Sequence, residues 1–600
     1  MEAIVLRREV ACATAASALF VVLADSDRLY RTLGQVMVAR EPLIGEGSAR
    51  FLLRARSGPR SIPFTELPPQ WNQPSLLVTK RVLHQGVLAS IATRFTLTPL
   101  LQGTQLVIEM QLEPRLPQLA WLVKLYGQGT LWHLGRTLLR IDAGIERGEK
   151  TQLRPAQLVA EPLLAAQQKT KAALSPEEQP LVDALVAHLR RTDDLDVDSL
   201  RLQSLCESLG QSEATLLRLL LHASASGLMQ PSFDVLCPSC RTPANQYDHL
   251  SELPDEVFCA LCELRIPVEF AGNVEVTFRP GAALRKLARP LYTSVNPSSS
   301  PHVLTQLVLP ASSNLQFVVP NEPGEFRLWA RGGASGLLKV STLGPQQASI
   351  AVNDSIVPAE VEVAMGGTLL IEHQTNQARH FKLERTEWSH QRLHAHRLTL
   401  HPLFRRLFPT EVPKPTVQLA VPMVSLWMSD FCSLGELCAA LGDSGAFRQL
   451  QELTQAVRKA IEQEQGAVIH SEGAGLVVAF ETSELALRAA IAAQRAVMAL
   501  RAENPFAHLL GMRIGLFAGP ATLVCQEGRL DYFGQTVAIC ARLLAEAHSG
   551  DILLPASLVE LLSAAAGVKS GPIFSIGGKG LPASVAVTRL AVEQVVEQPV

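Results

Sequence analysis

GAVIHSEGAGLVVAF, Gly466 to Phe480, pairs β-like apolar runs with a turn at Gly473 that offers polar groups. Two further runs share this construction. SLWMSDFCSLGELCAALGD, residues 425–443, is an apolar run ending at Asp430 that passes into a helical pattern. DYFGQTVAICARL, Asp531 to Leu543, is a turn that opens a helix. Their order and spacing predict one α/β domain over residues 417–595, and the rest of the chain reads as modules feeding into it.

Composition bounds what those modules can be. A chain of 600 residues is too long for a single core, so several domains are expected. The hydrophobic fraction of 47% and charged fraction of 18% fit packed globular domains. A net charge of -2 supplies no basic surplus for nucleic acid. Arg7 and Arg8 precede the apolar run Ala11 to Ala24, but Asp25, Asp27 and Arg28 close it before the roughly 18 residues a membrane span needs. That run is expected to be a buried first helix of a cytoplasmic protein. Ten cysteines, six of them scattered, do not form a disulfide framework.

Residues 1–150 begin with a strand-like run, Ala3 to Val10, and a helix from Thr14 to Leu33. Extended runs follow at Ala49 to Arg56, Leu76 to Leu83, Leu88 to Leu97 and Thr104 to Leu112, and a long amphipathic pattern from Pro117 to Ile145 closes the segment. This order resembles the START-like helix-grip fold, which implies a curved sheet gripping a long helix over a cavity for a small apolar ligand. A closed core with a structural or regulatory role is the alternative.

Residues 151–235 are helical, with Ser212 and Glu213 opening the helix SEATLLRLLLHASASGL. The segment resembles a winged-helix module. Its second helix shows five leucines between 216 and 221 with Arg218 as the lone cation, so a protein-protein or spacer role is expected rather than DNA reading. In residues 236–268, Cys237-Pro-Ser-Cys240 and Cys259-Ala-Leu-Cys262 are two CxxC knuckles separated by 18 residues. Four thiolates at that spacing predict a structural zinc ribbon.

Residues 269–408 carry short strand-like runs at regular spacing, beginning with VEVTFRP, and predict a β-sandwich. His390, His394, His396 and His401 lie on an Arg-containing stretch without carboxylate or cysteine at ligand spacing, which reads as a solvated connector. Residues 409–416, PTEVPKPT, read as the linker into the last domain.

The three opening runs resemble the catalytic domain of the class III adenylate and guanylate cyclases. That resemblance implies a ferredoxin-like α/β domain working as a dimer with two Mg²⁺ or Mn²⁺ ions and ATP or GTP. It also implies a partner domain, the same chain or another cyclase, because each subunit supplies half of the site. Asp430 matches the first metal aspartate; Phe431, Cys432 and Ser433 begin the loop that meets the triphosphate. On the family hairpin, GG-x-V-V-K-T-I-G-D-x-x-x-A-x-F, the second metal aspartate falls on Ala474 and the base-recognition lysine on His470. Asp531 matches the second base-contacting residue, Arg542 the transition-state arginine and Lys579 a phosphate-binding lysine. The ribose-orienting asparagine falls on Ala538.

The whole is thus expected to be a multidomain α+β signalling chain ending in a degenerate cyclase domain that acts through nucleotide binding or dimerisation. An active cyclase using Glu472 as a substitute carboxylate is one alternative. A lipid-responsive regulator centred on the START-like domain is another.

Overall fold

The computed structural model describes residues 3–34, 36–43, 50–57, 60–147, 158–260, 262, 264–285, 287, 302–386, 392–503, 509, 511–562, 568–577 and 584–592. In the N-terminal module, strand Ile4–Cys12 pairs antiparallel with Thr104–Pro114, and the sheet continues through Leu88–Pro99 and Leu76–Leu83. Alternate residues of Thr104–Pro114 are buried, as a sheet with one covered face requires. Helix Ala120–Glu146 packs on Ile4–Cys12 and Thr104–Pro114. Buried Asp142 fixes its C-terminal end by accepting backbone N–H bonds from Ala13 at 2.9 Å and Thr14 at 3.0 Å. The expected helix from Thr14 to Leu33 is two helices, Ala16–Ala24 and Ser26–Thr32. Asp25 separates them because its carboxylate caps the second, accepting from Arg28 N at 3.1 Å.

Helices Ala160–Ala172, Gln179–Arg191, Leu202–Leu209 and Glu213–Ala225 follow. The leucines of Glu213–Ala225 are buried, so this helix spends its apolar face on the core. Strand Met229–Leu236 then pairs with Pro243–Tyr247 on one side and Val274–Pro280 on the other. Val274–Pro280, which sequence pattern places at the start of the sandwich, therefore joins the preceding module. It is the edge strand of that sheet, and its nearly uniform burial follows from cover on its outer side, where Leu200 bridges to Phe278 and His394 to Glu275.

The sandwich consists of a sheet ordered Val303–Leu309, Arg379–Arg385, Gly324–Ala330, Ala334–Ser341, Glu360–Ala364 and a second ordered Ser313–Val318, Thr368–His373, Gln347–Val352, Ile356–Val357. Short strand Gln70–Asn72 pairs with Val303–Leu309, so the first sheet runs on into the N-terminal sheet. Buried Trp71 seals this junction, its Nε1 donating to Val303 O at 3.2 Å.

In the C-terminal domain the sheet order is Ala467–Glu472, Gly475–Phe480, Leu419–Cys432, Gly511–Gln526, Asp551–Pro555, Val585–Val592. The period of two divides the central strand: Trp427 and Phe431 join one core beneath helices Leu434–Gln463 and Ser483–Glu503, while Val424, Leu426 and Met428 belong to the core on the opposite face. Helix Gln535–Glu546 lies on that second face, against Gly511–Gln526. Gly515 makes this approach, since a Cβ there would stand 2.4 Å from Leu544 N.

Residues 392–408 are not a solvated connector. They form helices Ala395–Leu400 and Pro402–Leu407, whose Ala395, Leu398, Leu403 and Phe404 are buried. The apolar residues between the basic ones drive this burial, and His390 lies outside the described residues. The segment docks on the C-terminal domain: His396 Nε2 is 3.2 Å from Tyr532 Oη, and Arg405 Nη1 donates to Leu530 O at 3.1 Å. The 409–416 stretch is irregular and held as well, Glu411 pairing with His249 Nδ1 at 2.7 Å. Among the described residues no helix is long and apolar enough to cross a membrane.

Candidate functional site

Asp430 stands near the end of the central strand, where antiparallel register places it opposite Arg513. Arg513 Nη2 donates to Asp430 Oδ2 at 2.7 Å, so the carboxylate has a counter-cation in its own sheet. Phe431 is buried in the core and Cys432 half-buried, both still in strand register, with Met512 and Gly511. The Phe431 side chain, expected to face a nucleotide, is therefore spent on the core. Burial raises the Cys432 thiol pKa. The chain turns at Ser433, which takes φ 60° and ψ 23° ahead of helix Leu434–Gln463. This left-handed conformation is the reason glycine suits the position, and a side chain there costs roughly 1–2 kcal/mol.

The hairpin Ala467–Glu472 and Gly475–Phe480 lies against this strand end. A Cβ on Gly475 would meet Ser429 O at 2.0 Å and Asp430 Cα at 3.4 Å, so only glycine permits the contact. Ala474 follows Gly473 in the turn and packs its methyl on the core beneath the helix pair. The backbone of Glu472 ends the first hairpin strand, and its side chain lies outside the described residues. Among the described residues, the cysteine quartet forms a group of three or more metal-ligating side chains and Asp430 belongs to none. Among the described residues, Asp430 is met by the guanidinium of Arg513, and the hairpin turn beside it presents the methyl of Ala474.

A second constellation lies on the neighbouring strands. His470 Nδ1 is 3.3 Å from Asp531 Oδ2, bringing the two expected base-recognition positions together in one chain. Asp531 is oriented by its other oxygen, which accepts from Tyr532 N at 2.7 Å. Ala538 and Arg542 occupy one exposed face of helix Gln535–Glu546, one turn apart. Arg542 Nη2 pairs along the helix with Glu546 at 2.7 Å. Lys579 lies outside the described residues.

The four cysteines converge as their spacing predicts. All are buried and unbonded to one another, and their sulfurs lie within 4.8 Å of one another. Cys237 to Cys262 is 3.8 Å and Cys240 to Cys259 is 3.7 Å. A tetrahedral ion with metal–sulfur bonds of about 2.3 Å separates its sulfurs by about 3.8 Å, so the donor set fits a metal. Hydrogen bonding from Cys237, then Cys259 and Cys262, holds the Cys240 thiol well below its usual range, and the buried Lys382 ammonium adds to this. The first knuckle is also gripped from the sandwich: Trp329 Nε1 donates to Ser239 Oγ at 2.8 Å and Arg327 Nη1 to Ser239 O at 3.1 Å.

Two contributions escape sequence reasoning. Arg513 is legible only as part of a strand pattern, because its pairing with Asp430 depends on cross-strand register. The dock formed by His396 and Arg405 on Tyr532 and Leu530 adjoins Asp531, and its signal was the apolar content of residues 393–408.

Residues 418–582 match the family described as the adenylate and guanylate cyclase catalytic domain, and residues 165–296 match a family of unknown function (DUF5939). Solved structures similar to the chain include the guanylyl cyclase Cya2, at 20% identity over 30% of this chain and 97% of that one, with a TM-score of 0.26. The adenylate/guanylate cyclase/hydrolase from Silicibacter pomeroyi is 22% identical over 29% of this chain and 97% of its own, with a TM-score of 0.24. The adenylyl cyclase CyaB from P. aeruginosa is 18% identical over 30% and 97%, also with a TM-score of 0.24. No curated protein matches the chain.

Proposed function

We propose, on the premise that residues 418–582 are a class III cyclase catalytic domain, that this chain is a cytoplasmic signalling protein whose cyclase domain is catalytically degenerate. It acts by weak nucleotide binding or by pairing with a second cyclase domain, of the same chain or another. The observation that carries the reading is the state of the metal half: Asp430 is paired with Arg513, and the hairpin turn beside it offers the methyl of Ala474. When bound, a pair of divalent ions would activate the ribose hydroxyl and hold the phosphates. With Ala474 in place of a second acidic residue, Asp430 would leave such a pair one carboxylate short. Losing one carboxylate from the pair costs roughly three or more orders of magnitude in rate.

His470, Asp531 and Arg542 are the residues assigned to base recognition and to the triphosphate. The contact of 3.3 Å between His470 and Asp531 supports joint recognition of one base edge. The module assignments follow the same reading: a START-like N-terminal domain, a winged-helix-like segment, a zinc ribbon and a β-sandwich arranged around the cyclase domain. Zinc is the metal assigned to Cys237, Cys240, Cys259 and Cys262; with four protein ligands it has a structural role.

Incubation of the purified chain with ATP or GTP and Mn²⁺ tests the reading. The expected result is no cyclic product above background, with nucleotide binding retained. Turnover that Asp430→Ala abolishes would sink it.

A further inference from the structure

Helix Glu213–Ala225, linker helix Pro402–Leu407 and the C-terminal domain together line a cleft of about 820 Å³. Arg218, Arg405, Arg406, Arg458 and Arg529 border it, and Glu462 is the one acidic residue among the described lining. Two of these arginines are committed within the fold. Arg218 pairs with Glu178, and Arg405 donates to Thr399 O at 2.7 Å and Leu530 O at 3.1 Å. Arg458 reaches Ser471 Oγ at 3.3 Å and remains exposed. Arg406 and Arg529 are exposed and make no ion pair among the described residues.

The electrostatic environment is correspondingly positive. Burial, and then the charges of Arg406 and Arg218, lower the pKa of His222. Burial, and then Arg397 and Arg218, push that of His401 down to about 4. Both rings at the cleft wall therefore stay neutral, and the cationic load falls on guanidinium groups. Five like charges that outnumber the nearby carboxylates Glu178 and Glu462 repel, and a bound anion removes that repulsion. Guanidinium forks match phosphate oxygens in pairs, and the volume lies in the range of small-molecule sites, about 300–1,000 Å³. The cations come from four separate elements, so a compact monoanion would not reach them together.

We propose that this cleft binds a linear polyphosphate chain, free or as the tail of a nucleotide, and that the ligand ties the helical segment and linker helix to the cyclase domain. The site is distinct from the strand end at Asp430 and needs no divalent cation. Its position puts the ligand beside Leu530, one residue from Asp531, so occupancy would stiffen the hairpin that carries Asp531.

Calorimetric titration of the full chain with inorganic tripolyphosphate, and separately with ATP, without added divalent cation, tests this. One saturable site is expected, weakened by about tenfold or more in Arg406→Glu/Arg529→Glu, which removes two charge-assisted contacts. Arg529→Gln alone is a milder change of an exposed side chain and should give a smaller loss in the same direction. Asp430→Ala should bind as the unmodified chain does. Tighter binding of ATP would identify the nucleotide as ligand and equal binding the free polyphosphate; either upholds the site. Absence of saturable binding, affinity unchanged in both arginine variants, or loss of binding in Asp430→Ala would overturn it.

Discussion

Arg513 Nη2 sits 2.7 Å from Asp430 Oδ2 across the two central strands of the C-terminal domain. Both side chains are about one-third exposed, at 31% and 35%. A dication approaching Asp430 therefore meets a carboxylate already neutralised by a fixed cation.

Replacing Arg513 by Met should release Asp430 for metal at small cost to the fold. A pair this exposed contributes about 0.2–1 kcal/mol, so thermal denaturation should show a slight loss of stability. Mn²⁺ affinity, followed by water-proton relaxation, should rise. Unchanged Mn²⁺ affinity in Arg513→Met would show that the ion pair does not control the site.

The cysteine quartet predicts about one Zn²⁺ per chain by elemental analysis. Cys240→Ser or Cys262→Ser should lower metal content and melting temperature together, because metal binding to such knuckles is also folding free energy, on the order of 10 kcal/mol in small zinc modules. A metal-free chain with an unchanged melting curve would contradict this.

Acid should destabilise the chain from about pH 6.5 downward. Burial pushes His396 and His401 down to about 4 and His302 to about 3. Between the unfolded value near 6.5 and those folded values the unfolded chain binds protons that the folded chain refuses, so stability falls as pH falls. Each histidine contributes up to about 1.4 kcal/mol per pH unit in that window. Asp234 works the other way: burial, and then the charge of Glu275, raise it to about 6, and its protonation favours the folded state at lower pH. The three histidines outweigh it. Denaturant midpoints measured from pH 7 to 4.5 should fall, and His396→Phe should flatten the slope. A midpoint that rises on acidification would be the contrary outcome.

Legibility followed the range over which each residue's chemistry acts. The cysteine knuckles were readable because ligand number and spacing are written within each CxxC, and the distances between their sulfurs fit a metal. The sheet and helices around Asp430, Gly473 and Asp531 were readable because apolar runs and turn residues alternate locally. Cross-strand facts were not: neither the Arg513–Asp430 pair nor the placement of Val274–Pro280 beside Met229–Leu236 can be read without register. The burial of His396 was missed for the opposite reason. Its neighbours Arg392, Arg397 and Arg405 signal solvent, whereas Leu393, Leu398 and Phe404 decide the packing.

Cyclic-nucleotide formation in the unmodified chain, measured beside Ala474→Asp/Ala538→Asn under the same ATP or GTP and Mn²⁺ conditions, tests the central claim most directly. Background product is expected from the unmodified chain and a clear gain from the double variant, since it restores a metal carboxylate beside Asp430 and a ribose contact one turn from Arg542. Robust turnover by the unmodified chain, lost in Asp430→Ala and not increased in the double variant, would contradict it.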